Sequence, residues 1–207
     1  MSFFKRIYGV IVRPRSTFRE ISNAPSVWQG IIALVGMSVI STLLIFNKNY
    51  FIKVFGTGAT FLKLNTILKM MPVIIALGVF ATMILTPIFH FVSVSILNLL
   101  CEFFGYSGNG KGLFTTLAFA SIPSLISSII FAILVAVDLQ QISIIFTIGI
   151  SIWMIVLKIF AIKETYSMSG GKATLIYFIP IITIITVIVL FTLSITMSII
   201  PIINTQL

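Results

Sequence analysis

Several apolar runs of 18 or more residues contain no Asp, Glu, Lys or Arg, and this feature restricts the fold more than any other. A helix of ~20 residues crosses the ~30 Å hydrocarbon layer of a bilayer, so each run is long enough to span it. Composition agrees: 59% of the 207 residues are hydrophobic, 8% are charged, and mean hydropathy is +1.22. Soluble domains carry about 25% charged residues, so this chain has too little charge to coat a water-facing globule. The expected class is all-α, a polytopic integral membrane protein with five transmembrane helices.

Residues 1–26 read as a basic, amphipathic cytoplasmic segment, with a short helix on either side of Pro14. Phe3, Phe4, Ile7, Val10, Ile11, Phe18 and Ile21 are interspersed with Lys5, Arg6, Arg13, Arg15 and Arg19. These five cations are expected to face anionic headgroups, at about 1 kcal/mol each near the surface. Because the basic residues flank spans, a nucleic-acid partner is not expected. The apolar run Ile7–Val12 is short and Arg13 interrupts it, so no cleaved leader is expected either.

Residues 27–207 are expected to form the five-helix domain, with spans at about 27–46, 72–101, 113–136, 142–162 and 174–200. Asn23 and Pro25 suit a helix start, and Trp28 suits the membrane edge. Between the first two spans, residues 59–71 place apolar side chains at a period near 3.6 with lysines between, as an interfacial helix does. The second span is too long for a perpendicular crossing and must tilt, kink near Pro87 or protrude. Pro123 falls inside the third span, and Val137–Gln141 is so short that the third and fourth must form an antiparallel hairpin. Lys163–Ala173 reads as the last polar loop. With the N-terminus inside, nine basic residues lie on the cytoplasmic side against four (Lys48, Lys53, Lys63, Lys69) outside, which predicts N-in, C-out.

The single histidine and single cysteine both lie in the second span. His90 and Cys101 share a helical stripe but stand ~16 Å apart along the axis, too far to hold one metal or exchange a proton. No metal, cofactor or catalytic set is therefore expected. His90 remains a candidate intramembrane polar site with Pro87, which frees a backbone carbonyl, and Ser93. The alternative is a neutral imidazole bonded to a neighbouring helix's hydroxyl or carbonyl, and Cys101 reads as a small buried hydrophobe. Glu20, Glu102, Asp138 and Glu164 all fall at expected helix ends or loops, and the basic residues avoid the middle of the spans. Gly105–Gly112 lacks the hydroxyl that a phosphate-binding loop needs after its lysine. Ala118, Ala120, Ser121, Ser124, Ser127 and Ser128 in the third span, with Gly149 and Ser151 in the fourth, predict close helix packing within one chain or between copies.

The chain resembles the Ypt-interacting protein (Yip) family in its prokaryotic form. The likeness is carried by Arg13–Ile21 with Pro14, Phe18 and Ile21, by Gly105, by Ala118–Ile126 around Pro123, and by Lys163–Ala173. It implies a multi-pass protein of a prokaryotic plasma membrane. Eukaryotic relatives work in membrane traffic with Rab-type GTPases, as homo- or hetero-oligomers, and carry a long polar N-terminal domain that is not expected here. What carries over is a role in membrane organisation, through lipids and other membrane proteins or a homo-oligomer, without catalysis. The alternative is a small permease or channel with a pathway near His90; an intramembrane enzyme would need a nucleophile and partner that the spans do not supply.

Overall fold

A computed structural model describes residues 1–46, 52 and 64–204. In chain order these form α1 (Phe3–Val12), α2 (Pro14–Asn23), α3 (Val27–Ile45), α4 (Leu64–Phe103), α5 (Gly110–Ala120), α6 (Pro123–Ala136), α7 (Ser143–Tyr166) and α8 (Gly170–Asn204). Among the described residues five stretches are long and apolar enough to cross a membrane: Val27–Ile45, Leu68–Phe103, Gly110–Ala136, Gln140–Tyr166 and Gly170–Met197. No strand occurs among the described residues.

The helices on either side of Pro14 are present, with Pro14 in the first turn of α2, where its missing N–H leaves no bond unmade. Helices α1 and α2 approach closely because Gly9 has no side chain; a Cβ there would lie 2.5 Å from Thr17 Oγ1. Lys48, Lys53, Lys63 and Gly56–Gly58 lie outside the described residues, as does the start of the expected interfacial helix over 59–71. Its described part, from Leu64, is the beginning of α4 and runs without a break into the second span. Leu, Ile, Lys and Met are good helix formers, and no glycine separates Leu64 from Pro72. The result is a 40-residue helix with Pro72 and Pro87 inside it. At ~1.5 Å per residue it is about 60 Å long, well beyond the hydrocarbon thickness.

The third span is two helices. Proline has no N–H to return to the carbonyl four residues earlier, so the ladder shortens at Ser121 and Ile122, whose N–H groups reach Ala118 O and Phe119 O. Pro123 then starts α6. The turn after Ala136, with Asp138 at φ 61°, joins α6 to α7 as packed neighbours. Helix α7 runs on to Tyr166 and stops at Ser167, in the left-handed region, so the first four residues of the expected polar loop are helical.

Helix α5 is the hub. Every residue from Gly112 to Ala120 is buried, and α1, α2, α3, α4 and α7 all pack on it. The fully buried large side chains Val10, Phe18, Ile21, Leu113, Phe119, Leu157, Ile162 and Ile176 gather at this end of the bundle, so the N-terminal helices complete a core. Away from it the helices lose partners: every side chain of α8 from Ile181 to Met197 is exposed, a surface suited to acyl chains.

Close approach of α3 to α5 sets this geometry. A Cβ on Gly30 would stand 3.4 Å from Ala118 Cβ, and Ala118 is fully buried. Ala118→Leu should therefore cost about 1–3 kcal/mol in an SDS unfolding titration. Ile188→Leu, on the exposed face of α8, should leave the midpoint in place, and equal midpoints for the two variants would show that α3 and α5 do not meet as described.

Candidate functional site

Helices α4 and α7 each carry two polar residues eight positions apart: His90 and Asn98 on α4, Lys158 and Tyr166 on α7. Eight residues make just over two turns, so the pairs form two polar layers about 12 Å apart along the bundle.

The outer layer is fully bonded. Tyr166 donates its hydroxyl to Asn98 Oδ1 at 2.5 Å, Asn98 Nδ2 donates to Glu102 Oε1 at 2.6 Å, and the Thr116 and Thr165 hydroxyls meet at 3.1 Å. Asn109 caps α5 by accepting from Gly112 N and donates to Ser22 Oγ on α2, both at 3.1 Å. Next to it, Arg19 donates from Nη2 and Nε to Glu164 Oε2, at 2.8 and 3.2 Å, while Lys163 Nζ lies 3.6 Å from Oε1. Glu164 is buried and Arg19 is exposed, so the exposed helix supplies the countercharge for the buried acid. Glu164 belongs to a helix and not, as expected, to a loop, because α7 does not stop at Ile162.

The inner layer centres on His90. Its Nε2 lies 3.0 Å from Phe114 O, and since a carbonyl only accepts, Nε2 carries the proton. The ring also meets the Phe114 ring edge-on, with centroids 4.8 Å apart. The bond ties α4 to α5. Two cavities, of about 300 and 480 Å³, share His90, Ser93, Ser121 and Lys158 as lining. The larger is also lined by Ser38, Ser41, Ser124 and Ser128, and the Ser128 and Ser41 hydroxyls stand 2.9 Å apart between α6 and α3.

Of the residues singled out from the sequence, His90 and Ser93 line these cavities, although Ser93 donates its hydroxyl back to Phe89 O. Pro87 lines a separate cavity with Lys111 and Phe114. Lys5, Arg13, Arg15 and Arg19 are exposed, with the Arg15 guanidinium 4.7 Å from the centre of the Phe160 ring. Arg6 departs from the expected headgroup-facing row. It is 4% exposed, donates from Nη2 to Ala24 O at 2.8 Å, and leaves Nε and Nη1 without a partner among the described residues. Burial lowers its pKa from the ordinary arginine value, though an arginine remains charged at neutral pH.

Sequence reasoning missed Lys158, which it assigned to a helix end. With α7 extended to Tyr166, Lys158 lies two turns inside the span and beside His90. A lysine four residues before the expected end of an apolar run was the available signal.

Removing Arg19 leaves buried Glu164 with Lys163 alone. Arg19→Ala should weaken docking of α2 by about 1.5–3 kcal/mol, the range for a hydrogen bond to a charged group. In nanodiscs, trypsin should then cut the N-terminal segment at least tenfold faster, and the swap Arg19→Glu with Glu164→Arg should restore resistance; equal cleavage of all three proteins would refute the clamp.

No curated protein and no solved structure gives a significant match to the chain. The family model described as Yip1 domain matches residues 8–192, from α1 into α8, and includes the clamp, the broken third span and both polar layers. The chain therefore belongs to the Yip1-domain family of multi-span membrane proteins.

Proposed function

We propose that this is a non-enzymatic membrane-organising protein, which acts through its N-terminal helices on anionic headgroups and through its bundle on other membrane proteins or copies of itself. The observation that carries the reading is the outer face of α1. Phe4, Tyr8, Ile11 and Val12 are 80%, 68%, 38% and 51% exposed, and their spacing places them on one side of the helix. Lys5, Arg13 and Arg15 are exposed beside them. Apolar rings flanked by cations are what the boundary between headgroups and acyl chains accommodates. In this reading residues 1–26 are the cytoplasmic unit, residues 27–207 the transmembrane unit, and the chain runs N-in, C-out.

The test places a fluorophore in the exposed stripe. With Trp28 and Trp153 changed to Phe, Tyr8→Trp should be quenched by brominated acyl chains in anionic nanodiscs. Adding Lys5→Gln, Arg13→Gln and Arg15→Gln should reduce that quenching severalfold, since each cation contributes about 1 kcal/mol near an anionic surface. An unquenched fluorophore at position 8 would end the reading.

The meeting of two cavities at His90 and Lys158 supports a second reading, a small permease with its pathway near His90. Liposome flux that His90→Ala abolishes would establish it, and no flux across a broad panel of solutes would eliminate it.

A further inference from the structure

We propose that the cavity beside Lys158 binds an acidic lipid, with the lipid's anionic group on Lys158 and its acyl chain leaving between α4 and α8. This inference depends on neither reading above: it requires no translocation and does not involve the α1 face.

Lys158 has no carboxylate partner among the described residues. A lysine at membrane depth is costly, and such residues pair, reach water or mark a site. The chain has four acidic residues, and each is placed elsewhere. Glu164 takes Arg19 and Lys163, and Glu102 accepts from Asn98. Glu20 is exposed on α2, and Asp138 lies in the turn at the opposite end of α7 from Tyr166. Fifteen residues separate Ser143 from Lys158, about 22 Å of helix, so Asp138 cannot reach it. Among the described residues no negative charge stands at Lys158, and a ligand from outside the chain can supply it.

The cavity has the polarity of an amphiphile. In its volume of about 300 Å³, Lys158, His90, Ser93, Ser121 and Tyr177 supply the polar lining, while Leu97, Leu117, Ile181 and Ile184 supply hydrocarbon. Several of the polar hydrogens are already engaged: His90 Nε2 with Phe114 O, Ser93 with Phe89 O, and Ser121 with Leu117 O. The Lys158 ammonium and the Tyr177 hydroxyl are the donors left for an anion among the described residues. A lysine acts as a point charge toward phosphate or carboxylate, so either headgroup satisfies it.

The direction of entry selects a lipid over a water-borne anion. Ile96, Ile181 and Ile184, at the edge of the cavity, are 44%, 39% and 59% exposed on the apolar flank of the bundle. In a membrane that flank meets acyl chains.

The test uses the full chain in uncharged detergent micelles, with lipid binding read by native mass spectrometry and by competition with a fluorescent acidic lipid. Palmitoyl-oleoyl phosphatidate and oleate supply the two headgroup chemistries, phosphatidylcholine the neutral control, and inorganic phosphate the anion without a chain. One acidic lipid per chain should bind at least tenfold more tightly than phosphatidylcholine, and the order of phosphatidate and oleate identifies the headgroup. Lys158→Met should lose at least tenfold in affinity, Lys158→Arg should retain it, and Tyr177→Phe should lose a smaller factor. Ile184→Trp, placed at the exposed mouth where it does not disturb the core, should also reduce binding and serves if Lys158→Met does not fold. The proposal is overturned by wild-type affinity in Lys158→Met or Ile184→Trp, by equal binding of phosphatidylcholine, or by displacement of the lipid with inorganic phosphate.

Discussion

Interhelical hydrogen bonds gathered at one end of the bundle hold this structure together. In lipid an apolar helix face gains nothing by leaving its solvent, so association rests on close packing and on polar bonds between helices. Here those bonds tie α4 to α7 through Asn98 and Tyr166, α5 to α7 through Thr116 and Thr165, and α5 to α2 through Asn109 and Ser22. All of them surround α5, the most buried helix. The opposite end has few such bonds, and there α8 is exposed on every side.

The break before Pro123 links that packed end to the inner polar layer. A continuous helix from Gly110 to Ala136 would keep its carbonyls in an unbroken ladder. The break instead shortens the ladder at Ser121 and Ile122, and α6 starts afresh at Pro123, packed on α3 and α7. Ser121 and Ser124, on either side of the proline, then line the larger cavity with Lys158 and His90. One residue without an N–H thus positions a cavity wall, through backbone geometry alone.

The basic N-terminal segment does two physical jobs. Arg6 and Arg19 are fasteners, one bonded to the end of α2 and one to Glu164, 145 positions away. Lys5, Arg13 and Arg15 remain on the outside, next to the exposed rings of α1. Since the same guanidinium group serves both ends, the residue type alone does not separate the roles. Tertiary placement separates them: Arg6 is itself buried, whereas Arg19 stays exposed and reaches buried Glu164 from a helix anchored by the fully buried Phe18 and Ile21.

Much of the fold was readable from the chain itself. Apolar run length determines five possible crossings, since a helix of given length either reaches across hydrocarbon or does not. Proline chemistry marks the helix pair around Pro14, and a five-residue connection determines the hairpin near Asp138. The end of α7 was misjudged because Lys163 and Glu164 look like loop residues when their burial is unknown. Only the tertiary structure decided that Glu164 has a partner on α2, that Arg6 is inside, and that Lys158 stands beside His90 with no acid near it. Local sequence specifies what a segment can become in its solvent. Which charges meet depends on how helices distant in sequence are rotated and stacked, and no periodicity in the chain records that.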